Sequence, residues 1–183
     1  MNDTTIDLLI KREASASVGN STLRSQGAKD VVESARKSLA KIKIEKYSIT
    51  STQKEFIEIL DKDTQEIMRA LPSGAQNWGA ARKVINIFLR NLIYNKHICQ
   101  KHKIDHIESW LEIPLDSHVA EGLSETDSGR NLPRWNSIKR LTKADSDQYQ
   151  LVAYTIAEKL KINRIDLDIY LWRKIGIELL KNV

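Results

Sequence analysis

The chain has 183 residues, with 29 Lys and Arg against 24 Asp and Glu and a formal net charge of +5. A chain of this length folds as a single domain of one or two lobes without disulfides or metals. Its single cysteine, Cys99, excludes a disulfide framework and a four-cysteine zinc or iron–sulfur site, and it fits a reducing, cytoplasmic setting. No apolar run approaches the roughly 18 residues of a membrane span, so we expect no membrane partner.

The chain order of polar and apolar residues predicts an all-α fold. Glycine (7) and proline (3) are scarce, and strand-like alternation is almost absent. Residues 1–22 are polar and contain a Ser-rich stretch, which predicts a flexible N-terminal segment before a single helical domain over 23–183. Helical spacing of apolar residues then predicts helices over 28–43, 51–70, 79–102, 143–161 and 166–181.

Short polar residues mark the points where several helices begin. Ser51 or Thr52 precedes one helix, and Thr142 opens a variant of the capping box before another. Asp116 has the position of an N-cap for a short helix after the extended segment that contains Pro114. Asp168 lies at the start of the last helix, where a capping role and a substrate-side role are both open.

The positive charge is concentrated in two stretches that contain no Asp or Glu. Residues 67–104 carry +7 and residues 128–144 carry +5, which leaves 5 − 12 = −7 for the rest of the chain. A basic run by itself is equally consistent with a solvated helix face. Two such runs in an otherwise acidic chain indicate a surface that binds a polyanion.

Two segments resemble the helix-hairpin-helix DNA glycosylase superfamily. In Trp78–Asn86, the residues Gly79, Arg82 and Lys83 match the end of the hairpin of that family, although Ala81 stands in place of its second glycine. In Ile113–Val119, Leu115-Asp116-Ser117-His118-Val119 matches the segment that carries the catalytic aspartate of the family. The resemblance implies a two-lobed, all-α fold, with one lobe over about 46–140, the other formed by about 23–45 and 141–183, and DNA bound between them.

The resemblance also implies the roles of the candidate catalytic residues. Asp116 would stabilise the sugar cation or orient a water while the N-glycosidic bond breaks, and the helix dipole would favour its negative charge. Lys83 is either a Schiff-base nucleophile, which would add lyase activity, or a phosphate contact. An N-cap role for Asp116 and a surface position for Lys83 are the structural alternatives.

Several residues near these segments are candidates for binding DNA. Backbone N–H groups near Gly79 and Ala81 would bind a phosphate at the helix start, with Arg82 adding a charge. A flipped base needs residues that stack or fill the gap in the duplex. The candidates for that role, and for contacts from the second basic run, are Asn77, Trp78, Arg134, Trp135, Lys139 and Arg140.

The expected partner is double-stranded DNA with a damaged or modified base, bound by a monomer without a cofactor or metal. Damaged bases, and hence DNA repair, are the family default, and a hypermodified phage base would instead make the protein an anti-phage defence factor. Two other classes stay open: a non-catalytic helical module that contacts DNA phosphates, and a protein whose basic faces meet an acidic partner.

Overall fold

The described part of the chain is helical, as its apolar spacing predicted. The computed structural model describes residues 2–23, 25–171 and 180, and none of these residues forms a strand. The α-helices within them are α1 (Asp3–Ala16), α2 (Val31–Leu39), α3 (Glu45–Ser48), α4 (Gln53–Ala70), α5 (Trp78–Tyr94), α6 (Lys96–His102), α7 (Ser117–Ser124), α8 (Lys143–Leu160) and α9 (Leu167–Leu171). Shorter 3-10 turns cover Ser73–Ala75, Asp105–Trp110, Asp127–Gly129, Ile138–Arg140 and Arg164–Asp166.

Helix α1 occupies the segment that was predicted to be flexible. The Asn2 side chain caps it by accepting a hydrogen bond from the backbone N–H of Thr5 at 2.9 Å. Ile6, Ile10 and Ala14 lie four residues apart on one face and are buried, and the helix packs against α5 and α6. The prediction was therefore wrong for this segment, because a narrow apolar stripe is enough to dock an otherwise polar helix.

The apolar side chains of the described residues form two cores. The first core is built from α1 to α6 and the 3-10 turn at Asp105–Trp110, and Ile165 is its only member from the later part of the described chain. The second core runs from Ile113 through α7, α8 and α9 and includes Leu180. The cores meet at Glu112, because Leu111 belongs to the first core and Ile113 to the second.

This division differs from the predicted lobes. Residues 23–45 were assigned to the lobe of the last helices, but α2 packs against α4 and α5 in the first core. The end of the predicted first lobe, from Ile113 onward, packs instead with α7 and α8 in the second core. The physical reason is the burial of Val31, Ala35 and Leu39, which places one face of α2 against the central helices.

The predicted helix over 79–102 is two helices that meet at Asn95. Its backbone N–H bonds to the carbonyl of Asn91 at the end of α5, and its side chain accepts from the N–H of Ile98 at the start of α6. Neither glycine nor proline interrupts the chain here, so the apolar pattern continues through the break. Helix α5 has buried residues around most of its circumference and contacts α1, α2, α4 and α6.

The predicted caps agree with the structure. Thr52, Asp116 and Thr142 each accept a hydrogen bond from a backbone N–H in the first turn of α4, α7 and α8. The last helix is described from Leu167 to Leu171, and Trp172 and the predicted helix beyond it lie outside the described residues. No helix in the described ranges has the length and apolar character needed to cross a membrane.

Candidate active site

One face of α5 lines an open cleft of about 610 Å³. Lys83, Ile87 and Arg90 lie at positions i, i+4 and i+7 of the helix, so their side chains share that face. The other walls come from four residues after α1, from Pro114 and the start of α7, from the segment 135–139, and from Asp168 on α9. The four residues after α1 are Ser21, Thr22, Ser25 and Gln26, and those at the start of α7 are Asp116, Ser117 and His118. The cleft therefore joins residues from both cores around one surface of the central helix.

Lys83 and Asp116 contact each other in this cleft. Nζ of Lys83 lies 3.2 Å from Oδ2 of Asp116, although the two residues are 33 positions apart in the chain. The Lys83 side chain is 11% exposed and the Asp116 side chain 31%, so the ammonium is the more enclosed of the two groups. The two residues named as catalytic from the sequence are thus adjacent and reach the same open space.

The two oxygens of the Asp116 carboxylate have different partners. Oδ1 accepts hydrogen bonds from the backbone N–H groups of His118 and Val119 at 3.0 and 3.1 Å. Those bonds cap α7 and fix the carboxylate, while Oδ2 faces Lys83. Asp116 is therefore both a helix cap and a residue that lines the cleft.

A second ion pair, Arg90 with Asp168, lies in the same cleft. Nη1 of Arg90 donates to Oδ2 of Asp168, and each side chain is 22% exposed. Burial raises the pKa of Asp168, an effect that outweighs the opposing influence of the Arg90 guanidinium. The sequence placed Arg90 only within a basic run and Asp168 only at a helix start, because nothing local indicates that α5 and α9 meet.

Trp135 is the aromatic side chain of the predicted set that lines the cleft. Its ring packs edge-on against Tyr149, with ring centroids 5.8 Å apart, and Tyr149 itself is anchored by a hydrogen bond to the carbonyl of Pro133 at 2.6 Å. Lys139 lies on the same wall and is exposed. The 135–139 segment thus brings an aromatic ring and a cation to the rim.

Arg82 does not have the position expected of a DNA contact. Its side chain is 2% exposed and makes two 2.8 Å hydrogen bonds to Glu112, one to Asp61 at 2.8 Å and one to Thr64 at 3.0 Å. Such a guanidinium has no surface to offer a phosphate in this conformation. The predicted DNA contact of Arg82 therefore does not agree with the structure. Neighbouring residues of a helix point about 100° apart, so Lys83 faces the cleft while Arg82 faces the interior.

The start of α5 is also closed to a phosphate. Gly79 and Ala81 are buried, and a Cβ on Gly79 would lie 2.2 Å from the carbonyl oxygen of Ile138. Asn77 is the N-cap: its side-chain oxygen accepts from Ala80 N at 2.9 Å, and its amide donates to Gln26 at 2.7 Å. Gly79 therefore allows α5 to pack closely against the turn at Ile138–Arg140. The backbone N–H groups near Gly79 and Ala81 do not form the expected phosphate site.

Trp78 is half-buried and packs against the second core. The guanidinium of Arg82 lies over its ring, 5.3 Å from the ring centroid. These contacts give Trp78 a structural role, and it is not among the residues that line the cleft.

Ion pairs neutralise much of the first basic run. Arg82, Lys83, Arg90 and Lys101 each pair with an acid from elsewhere in the chain. In the second run, Arg130 and Lys143 pair with nearby acids. Arg134, Lys139 and Arg140 are exposed and have no ion pair among the residues that the structure describes. The cationic surface is therefore smaller than the sequence indicated, and Lys139 is the cation of the second run that lines the cleft.

Within the described ranges, no group of three His, Cys, Asp or Glu side chains is arranged to hold a metal ion. No protein-family model matches the chain, and comparisons with curated proteins and with solved structures find no match.

Proposed function

We propose that the protein is a DNA glycosylase that releases a damaged or modified base by cleaving its N-glycosidic bond. The observation that carries the proposal is the 3.2 Å contact between Lys83 and Asp116 at the surface of an open polar cleft. A carboxylate and an amine at this separation are the two groups that the sequence resemblance requires in one place. The neighbouring Trp135 and the exposed Lys139 support a nucleic-acid ligand.

The role of Asp116 follows from the charge that develops on the sugar. As the bond from C1′ to the base breaks, its electron pair leaves with the base and the sugar becomes cationic. Asp116, fixed by two backbone N–H groups, offers Oδ2 as a negative charge beside that cation. The same oxygen can accept a proton from a water that forms the new bond to C1′, which leaves an abasic site and a free base.

Lys83 has two roles under this proposal. As an ammonium it holds the Asp116 carboxylate in the cleft and contacts the DNA backbone. As a neutral amine it attacks C1′ itself, after its proton passes to an acceptor such as Oδ2 of Asp116 at 3.2 Å. The second role gives a Schiff base and strand cleavage, so the two roles are distinguished by trapping the covalent intermediate.

The test is an assay for abasic sites on a panel of duplexes. The panel contains uracil, oxidised and alkylated purines, and glucosylated hydroxymethylcytosine, and product is detected by strand scission at abasic sites. We expect wild-type protein to release at least one base and Asp116→Asn to lower that rate by about 10²-fold or more. Asp147→Asn, at an exposed acid on α8 that pairs with Lys143, is the matched control and retains the rate.

Release of no base from any duplex, or equal release by wild type and Asp116→Asn, contradicts the proposal. Binding to duplex DNA without any product favours the alternative of a non-catalytic DNA-binding module. Borohydride reduction during the reaction resolves the role of Lys83: a covalent adduct with wild type but not with Lys83→Arg assigns the nucleophile, and absence of any adduct assigns water.

A further inference from the structure

The mechanism above leaves the second charged pair of the cleft without a role. Arg90 lies on α5 seven residues after Lys83, about 10 Å along the helix at 1.5 Å per residue. An arginine guanidinium carries five N–H donors in a planar fork. Only Nη1 has a hydrogen-bond partner among the described residues, so the remaining donors of this cleft residue are available to a ligand.

Asp168 holds this guanidinium in place. The carboxylate lies in the first turn of α9, between Leu167 and Leu171, which are both fully buried in the second core. A long arginine side chain without a partner samples many rotamers and loses entropy when it binds a ligand. Because the ion pair fixes Arg90 before a ligand enters, the guanidinium is a preorganised donor rather than a mobile surface charge.

Breaking an N-glycosidic bond creates charge on both fragments. The sugar becomes cationic, and the base departs with the electron pair of the bond as an anion unless it is already protonated or alkylated. Under the proposed function the Lys83–Asp116 pair contacts the sugar, and Arg90 is a fixed cation in the same cleft two helical turns along α5, within the space open to the base of that nucleotide. A preorganised guanidinium at that place lowers the energy of the anion in the transition state.

We propose that Arg90 is a further catalytic residue, which donates hydrogen bonds to the departing base, and that Asp168 positions it. This inference rests on the proposed glycosylase function and extends it to the leaving group. The C1′–N bond breaks, its electron pair spreads from that nitrogen over the base to the edge that accepts from Arg90, and solvent later supplies the proton that gives the neutral base. The substrate class is therefore a neutral base with oxygen or nitrogen acceptors on its exposed edge, and a permanently cationic base gains nothing from Arg90.

The experiment compares two duplexes that differ only in the leaving group. One carries the base that wild-type protein releases from the panel, and the other carries a fluorinated form of that base, which bears negative charge more readily. Arg90→Gln is expected to slow release of the parent base by about 10²-fold and of the fluorinated base by less than 10-fold. Asp168→Asn is also expected to slow release of the parent base more than release of the fluorinated base, but with a smaller loss of rate than Arg90→Gln.

Arg12→Gln is the matched control, because Arg12 is a 75% exposed arginine on α1 outside the cleft, and it keeps wild-type rates on both duplexes. Thermal unfolding checks that each variant folds. If Arg90→Gln does not fold, Arg90→Lys serves instead, and it keeps the charge but loses the fork. Guanidinium ion added to Arg90→Ala is expected to restore part of the rate on the parent base, a response that a merely structural arginine would not give.

The two hypotheses fail in different ways. Wild-type protein that releases no base contradicts the proposed function and with it the role of Arg90. Wild-type protein that releases a base, together with an equal loss on both duplexes or no loss in Arg90→Gln, contradicts the role of Arg90 alone.

Discussion

Arg82 and Glu112 form two parallel hydrogen bonds at the boundary between the cores. Nε of Arg82 donates to Oε2 of Glu112 and Nη2 donates to Oε1, both at 2.8 Å. Asn86 adds a third bond to Oε2 at 3.1 Å. The geometry is the bidentate fork that arginine makes with carboxylates, and both side chains are almost fully buried. The pair therefore fixes α5 to the segment that connects the two cores.

Removal of the Glu112 charge is expected to destabilise the fold strongly. Glu112→Gln leaves the buried guanidinium of Arg82 with Asp61 as its remaining acid, and the loss of one partner of a buried pair costs about 3 kcal/mol. The free energy of unfolding in urea measures the effect. Glu33→Gln, in an exposed pair with Lys37, should change this free energy by less than about 0.5 kcal/mol. An equally small effect for Glu112→Gln would show that the Arg82–Glu112 pair does not stabilise the fold.

The same pair predicts how stability depends on pH. Burial by itself raises the pKa of Glu112, but Arg82 and the hydrogen bonds to it more than compensate, so the net pKa lies below the usual value for glutamate. Because its pKa is lower in the folded than in the unfolded state, ionised Glu112 stabilises the fold fully above the unfolded pKa of about 4.3. This stabilisation is lost as the pH falls through the lower pKa of the folded state. The stability difference between wild type and Glu112→Gln should therefore be full at pH 7 and shrink at pH 3.

Gly79→Ala is expected to displace the turn at Ile138–Arg140. The new Cβ would lie 2.2 Å from the carbonyl oxygen of Ile138 and 2.9 Å from Cβ of Leu141, so backbone must move. We expect a loss of about 1–3 kcal/mol in the free energy of unfolding, measured with denaturant. Gly74→Ala is the control, since its Cβ would meet nothing closer than 3.9 Å, and a loss of the same size there would show that the contact with Ile138 is unimportant.

Under the proposed function, the exposed cations of the second basic run should govern the salt dependence of DNA binding. Replacement of Arg134, Lys139 or Arg140 by glutamine removes one phosphate contact, which lowers the slope of log affinity against log salt by about 0.9 for duplex DNA. Lys54→Gln is the control, because that exposed lysine lies in the first turn of α4, outside the cleft. Fluorescence anisotropy at several salt concentrations measures the slopes. Unchanged slopes in all three variants would show that these cations do not contact DNA phosphates.

The features that were predictable from the sequence depend on short-range contacts. Thr52, Asp116 and Thr142 cap their helices through hydrogen bonds that reach two or three residues along the chain, so residue type and position were sufficient. The break at Asn95 was missed because an asparagine can end one helix and begin the next without disturbing the apolar pattern. The boundary between the cores was missed because packing between distant helices decides it.

The site was predictable only in part for a related reason. Arg82 and Lys83 are adjacent cations, and their different environments depend on partners 30 and 33 residues later in the chain. Charge and spacing do not reveal which of the two faces the cleft. The pairing of Lys83 with Asp116 came from a resemblance to a family, whereas the pairing of Arg90 with Asp168 spans 78 residues and had no sequence signal.

The position of Lys83, Ile87 and Arg90 on one face of α5 makes the cleft sensitive to helix length. One residue inserted between Lys83 and Arg90 would rotate the two cations apart by about 100° and shift them by 1.5 Å. Both ion pairs could not then form on the same surface. A change in length within this part of α5 would therefore disrupt the cleft even if every residue type were kept.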